Sequence, residues 1–307
     1  MGKHYTPQEY LRAFADPYSP NLIWQFDKQT GTFSSTAISI KKVAQQRDFY
    51  SQEDEDKLTK LVENPGNAVL RKLRSENFIL SDGERVALSV YMATTITRIP
   101  KNRIRARELA PQVLSKVTEE LREKIRLTEK SGLIGAEVAE KGLTETDALK
   151  AKYTKEMPQE IEAQIDSPWP SQRMFQTIYD MEWRFLKANS SHYFLTSDNP
   201  AYFFDTWGLK NDNGKSELTF PISSKVVLLA SWTPIRRPAD RIVKDAKIAK
   251  EVNKRMIVGA TRFVFSRTKA NWIAKVAQKE VADLNRIEWY PGENLAGLTM
   301  RPGRPWF

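Results

Sequence analysis

The sequence contains no cysteine and only two histidines, His4 and His192, in 307 residues. Without cysteine there can be no disulfide, no thiolate nucleophile and no cysteine-ligated zinc. Two histidines exclude a three-histidine metal centre, and a two-histidine centre would need both. No apolar run approaches the roughly 18 residues that a membrane helix requires; Val226–Ala230 is only long enough for a strand. The opening MGKHYTPQEYL lacks the apolar core of a signal peptide. Also missing are a phosphate loop, a glycine-rich dinucleotide fingerprint, HExxH, GxSxG and a kinase signature, which removes the ATP, NAD and serine-hydrolase readings. Together these absences predict a cytoplasmic protein that does not enter a membrane.

What is present suits a folded domain. Hydrophobic residues make up 40% and charged residues 28% of the chain. A chain of this length buries roughly 75% of the surface its unfolded form exposes, so it needs no covalent staples. The net charge is +10 and the pI about 9.5. A basic surface attracts nucleic acid, acidic membranes or acidic proteins without choosing among them.

Patterning along the chain predicts an α+β fold. Thr6-Pro7-Gln8-Glu9 reads as the capped start of a helix over 7–15, with Thr6 as the cap and Pro7 at the first helical position. A hairpin follows, with strands over 21–27 and 32–40 joined by Lys28-Gln29-Thr30-Gly31. From 41 to 190 the chain reads as helical. Ser51 and Ser81 each open a capping-box pattern, Asn64-Pro65-Gly66 reads as a break between helices, and Ile99-Pro100 ends another. Pro111–Lys130 carries Val113, Val117, Leu121 and Ile125 at four-residue intervals. Residues 131–168 are polar and weakly periodic, and read as a solvated helical arm. A helix over 171–187 is expected to bury Met174, Ile178, Met181 and Phe185. After 190, strands are expected over 192–196, 202–204, 217–220, 225–231 and 262–266. A long helix over 238–260 interrupts them, and a further helix spans 270–283. The N-terminal hairpin and the C-terminal strands would contribute to a mixed or antiparallel sheet in a single domain, residues 1–307, with the arm as an insertion.

Three local patterns carry chemistry. His4 lies just before the first helix, whose positive end disfavours imidazolium, so a neutral ring could accept a proton or bind a metal; packing at the helix entry is the plainer alternative. Thr196-Ser197-Asp198-Asn199-Pro200 follows an apolar strand, where Asp198 could act as a base and Asn199 could orient a substrate; the same residues also make ordinary turns. Arg98, Lys101 and Arg103, with Arg105 and Arg107, could clamp phosphates or carboxylates, or could form a solvated basic face paired with Glu108. Lys244, Lys247, Lys250, Lys254 and Arg255 give the late helix a basic outer face.

Several motifs align in order with one family: HYTPQEYLRAF, IWQFDKQTGTF, DFY (Asp48–Tyr50), TRIPK (Thr97–Lys101), MEW (Met181–Trp183), FLTSDNP (Phe194–Pro200), FPIS (Phe220–Ser223) and VNKRMIVGATRFVFS (Val252–Ser266). The chain resembles the bacterial family called domain of unknown function 4238 over nearly its whole length. The pairing of the N-terminal HYxPxxYLxxF with the distant TSDNP is the specific part. Glu9 departs from the pattern, where a bulky aromatic is more usual. The resemblance implies one domain of this length and makes His4, Arg98, Asp198, Asn199 and Asn253 motif positions. It supplies no activity, and His192 matches no motif.

Motif residues at both chain ends predict a shared site. His4 and Asp198 would form an acid–base pair, Arg98 would bind an anion, Asn199 would orient it, and Glu63 would add a carboxylate. The leading expectation is a nuclease-like hydrolase acting on nucleic acid or another phosphate-bearing substrate, in a phage-defence setting; the cofactor is left open, a divalent metal such as Mg²⁺ being one candidate. The alternative is a non-catalytic binding or interaction protein whose motif residues lock the fold.

Overall fold

The computed structural model describes residues 3–46, 50–155, 162–163, 166–189, 192–204, 217–232, 240–243 and 246–283. Its backbone separates into two compact units, Met1–Ile99 with Pro168–Phe307, and Pro100–Ser167. The fold is α+β.

The first unit carries the strands. A two-stranded ribbon pairs β1 (Lys3–His4) with β5 (Gln45–Gln46), placing His4 opposite Gln45. A second sheet is built on β2 (Leu22–Asp27), which pairs with β3 (Thr32–Phe33), β4 (Ile38–Ser39) and β12 (Phe263–Ser266); β12 in turn pairs with β7 (Thr196–Ser197). The two chain ends therefore do share a sheet. The third sheet has the order β11 (Asp240–Val243), β6 (Glu182–Ala188), β10 (Val226–Ser231), β9 (Glu217–Pro221), β8 (Tyr202–Phe204), and only the β11–β6 pair is parallel. β9 and β10 are buried along their whole length, and Val226–Ala230 of β10 reads as a continuous apolar run because both faces are covered.

The helices of this unit are α1 (Gln8–Arg12), α2 (Gln52–Leu58), α3 (Asn64–Arg74), α4 (Asp82–Thr97) and α7 (Gln172–Asp180), then α8 (Ala246–Gly259) and α9 (Asn271–Asp283). Local chemistry sets their starts. Ser51 caps α2, and Ser81 with Glu84 forms a reciprocal capping box on α4. The first helix differs from expectation. Pro7, not Thr6, holds the cap position with extended backbone, and no side chain caps it. Asn64-Pro65-Gly66 does not break a helix either. A π turn over Thr59–Glu63 leads straight into α3, and Pro65 is accommodated where this wider turn meets the α-helix. One main core joins α1, α3, α4 and the inner face of the third sheet through Tyr10, Leu70, Met92, Phe185, Phe220 and Leu228.

Two long expected helices are each part strand. The stretch over 171–187 stops at Asp180 and continues as β6, because Glu182–Lys187 gain six ladder partners from Val226–Ser231. The stretch over 238–260 contains β11 before α8 begins at Ala246, and Pro238 and Lys244 lie outside the described residues. Residues 192–195 are not strand; only Thr196 and Ser197 pair. The tail from Pro291 lies outside the described residues.

The second unit is an antiparallel helical hairpin of α5 (Pro100–Lys130) and α6 (Ala136–Lys155). Arg122 pairs with Asp147 and Lys150 with Glu119, and Ile125 lies where a Cβ on Gly142 would be 3.3 Å away. Pro111 falls inside α5 instead of starting it. Val113, Val117 and Leu121 are exposed, so their spacing marks a face that α6 does not cover.

Candidate functional site

Close packing of α3 on α4 creates the site. A Cβ at Gly66 would lie 2.3 Å from the Tyr91 ring, so only glycine permits this approach. That contact brings Glu63 and Asn67, one turn apart on one face, against Tyr91, Thr94 and Arg98 of α4. Arg98 is 1% exposed. Its Nη1 donates to Glu63 Oε1 at 2.6 Å, and its Nη2 donates to the His4 carbonyl and, at 2.5 Å, to the Tyr50 hydroxyl. The Tyr50 hydroxyl also lies 3.2 Å from the His4 carbonyl, and the guanidinium sits 5.2 Å from the Tyr50 ring centroid. Arg98 thus tethers the β1 ribbon to the helices and fixes the backbone that carries the His4 ring.

The electrostatics follow from this packing. Burial works against the Arg98 charge, but Glu63, Tyr50 and Glu55 outweigh it and hold the guanidinium above its ordinary value. Burial lowers the His4 pKa, with Arg98 acting in the same direction and the Val43 backbone, Glu55 and Glu63 opposing. The ring is therefore neutral near pH 7. Burial likewise raises the Tyr50 hydroxyl. The cluster holds two carboxylates, Glu55 and Glu63, against one guanidinium.

Several buried polar atoms here lack a hydrogen-bond partner: His4 Nδ1, Glu55 Oε2, Asn67 Oδ1, the Tyr91 hydroxyl, Thr94 Oγ1 and Arg98 Nε. Each such atom costs about 1–3 kcal/mol unless something pairs it. Meanwhile His4, Tyr50, Glu55 and Glu63 are only partly buried, so the cluster reaches solvent. Buried polar groups that the protein itself does not pair are commonly paired by ordered water or by a ligand.

The C-terminal motif serves a different purpose. Asp198 is 3% exposed, and both its oxygens are used: Thr261 N donates at 2.7 Å, Arg262 N at 2.8 Å and Phe263 N at 3.0 Å. Burial raises its pKa while these three amides oppose the rise. Asn199 Nδ2 donates to the Gly259 carbonyl at 3.0 Å. Lys28 Nζ donates to the carbonyls of Ile257, Val258 and Ala260. Together they clamp the turn between α8 and β12. Asn253 accepts from Leu195 N at 2.8 Å and donates to the Tyr193 carbonyl at 2.9 Å, holding an unpaired segment against α8.

The structure therefore brings together His4, Glu63 and Arg98, and places Asp198, Asn199 and Asn253 in backbone-holding roles. The expected His4–Asp198 pair does not form, because backbone amides occupy the carboxylate. Arg98 does not present an open anion clamp, because Glu63 neutralises it. Arg103 belongs to the helical-hairpin unit and is buried, not part of a solvated basic face; the Lys101 side chain lies outside the described residues. Arg255 is not on the outer face of its helix. It is 2% exposed and paired with Glu217, itself fully buried, and with Glu251. His192 Nδ1 lies 2.6 Å from Asn189 Oδ1. Among the described residues no group of three His, Cys, Asp or Glu side chains is placed to hold a metal ion, and no helix is long and apolar enough to cross a membrane.

Sequence reasoning missed Tyr50, Glu55 and Tyr91. Tyr50 closed the DFY motif, which was a usable signal; Glu55 and Tyr91 stood among ordinary helix residues.

Fold and site define an α+β protein with a half-buried histidine–carboxylate–arginine cluster at its N-terminal ribbon. The chain belongs to the family described as protein of unknown function (DUF4238), whose model matches residues 3–270. No curated protein and no solved structure matches it.

Proposed function

We propose that this protein is a hydrolytic enzyme in which His4 is the proton-transfer group. The observation that carries the reading is the neutral His4 ring, whose buried Nδ1 has no partner, beside a Glu55 oxygen that also has none. In this role His4 takes a proton from an attacking water, Glu55 and Glu63 stabilise the imidazolium so formed, and the proton then passes to the leaving group. Arg98, held in place by Glu63 and Tyr50, fixes the β1 backbone that carries the His4 ring. Two carboxylates against one guanidinium favour a neutral or cationic reacting group over a phosphate.

A nuclease-like activity, with its place in phage defence, is the second reading. The net charge of +10 favours it; the charge balance at His4 weighs against it. One set of assays separates the two. Turnover of p-nitrophenyl esters and aminoacyl p-nitroanilides is measured beside cleavage of single-stranded DNA and RNA with Mg²⁺ or Mn²⁺. His4→Asn is expected to lose about 100-fold or more in whichever activity is found, with the melting temperature held within a few degrees. Full activity in His4→Asn sinks the role given to His4, and no turnover of any of these substrates by the wild type leaves a binding protein.

A further inference from the structure

A second feature lies where β12 runs into α9, and it is independent of His4. Strand register sets Ser266 opposite Trp24. Just beyond, Lys269 Nζ lies 5.7 Å from the centroid of the Trp24 ring. The Tyr193 hydroxyl is 3.0 Å from Thr268 Oγ1, and the Tyr193 ring is 6.3 Å from that of Trp272. Lys275 follows one turn after Trp272 on the same helix face. Lys225 donates to the His192 carbonyl at 2.9 Å, and Arg267 is the charge that acts on it. Three part-exposed aromatics, Trp24, Tyr193 and Trp272, thus stand among four cations, Lys225, Arg267, Lys269 and Lys275.

Two properties make this face a binding surface. Trp272 is 37% exposed although α9 also presents Ile273 and Ala277 to the core, so its ring is not needed for packing. Among the described residues the cations also lack a counter-charge. Some basic side chains elsewhere are paired, as Lys57 is with Glu53, Lys72 with Glu84 and Arg262 with Asp27; what sets this patch apart is that its cations stand beside part-exposed rings. Among the described residues no carboxylate pairs Lys225, Arg267, Lys269 or Lys275. Cations held together without counter-charge lower one another's stability unless an anion neutralises them, and flat rings beside them offer stacking platforms that any base accepts.

We propose that this face binds single-stranded nucleic acid without base specificity, with Trp24, Tyr193 and Trp272 stacking bases and Lys225, Arg267, Lys269 and Lys275 meeting phosphates. Duplexes hide the faces of their bases, so they gain the charge term only.

The test is fluorescence anisotropy of a labelled 15-residue oligo-dT, titrated at several salt concentrations. Wild type is compared with Trp272→Ala and Lys269→Glu, both surface changes, and with Lys152→Glu, which alters net charge equally on the helical hairpin. Trp272→Ala is expected to weaken binding at least about fivefold. Log affinity against log salt should fall with a slope of about −2 to −3, from four cations at about 0.7 each. Lys269→Glu should weaken binding and flatten that slope, and Lys152→Glu should do neither. The proposal is overturned if Trp272→Ala binds as wild type does, if Lys152→Glu weakens binding as much as Lys269→Glu, or if duplex DNA or phosphatidylserine vesicles bind equally well and lose equally on Trp272→Ala.

Discussion

Asp198→Ala separates a structural from a catalytic role for the TSDNP motif. The carboxylate accepts three backbone N–H groups from the Thr261–Phe263 turn at 2.7–3.0 Å. Three charge-assisted bonds at about 1.5–3 kcal/mol each set an upper bound of roughly 4.5–9 kcal/mol. Two effects reduce it. Thr261 and Arg262 are exposed, so water can reach their amides, and alanine removes a buried charge whose desolvation already raises the native pKa. The net loss should be about 2–4 kcal/mol. At about 2–4 °C per kcal/mol for a domain of this size, the melting temperature should fall by about 4–16 °C. Asp198→Asn should lie between, because its amide nitrogen cannot accept from the turn. Thermal unfolding followed by circular dichroism checks the shift, and binding or turnover at the His4 cluster is measured well below the new midpoint. If Asp198→Ala melts with the wild type yet abolishes activity, the clamp assignment is wrong and Asp198 belongs to the reacting groups.

Three further outcomes follow from the same packing. Arg255→Ala removes the guanidinium that faces the fully buried Glu217 and should cost about 3–5 kcal/mol; Arg98→Ala should cost less because Glu63 is 20% exposed and can be hydrated, and denaturant titration of both tests the order. Gly66→Ala would place a Cβ 2.3 Å from Tyr91 Cδ2, so the helix-propensity gain of about 1 kcal/mol should be exceeded and the midpoint should fall; a stabilised variant would contradict the α3–α4 contact. The lowered His4 pKa means that the unfolded chain binds the proton first as pH falls. The stability it contributes is thus complete above about pH 6.5 and is lost as pH drops through the lower folded value. Melting curves from pH 8 to pH 5 should show this loss in wild type and His192→Asn, and less of it in His4→Asn.

Much was legible in the sequence because its signals are local. Ser51 and Ser81 marked real helix starts because a cap is decided within four residues. The first strand and turn of the hairpin after Asn21 were readable because alternation and a glycine turn act over a few positions, whereas the return over 32–40 is strand only at Thr32–Phe33 and Ile38–Ser39. The α+β class and the family followed from ordered motifs along the chain.

Local misreadings at Thr6, Asn64-Pro65-Gly66 and Pro111 aside, the errors share one cause, which is partners distant in sequence. Phe185 looked helical by spacing, but the ladder offered by Val226–Ser231 made it strand. Arg255 looked solvated until Glu217, 38 residues away, took its charge into the core. His4 and Asp198 looked like one site because both are motif residues. Composition, caps, turns and family membership were set by the sequence alone. Tertiary structure decided which polar residues are spent on holding backbone and which retain unpaired atoms, because that depends on burial and on hydrogen-bond partners brought together only by folding.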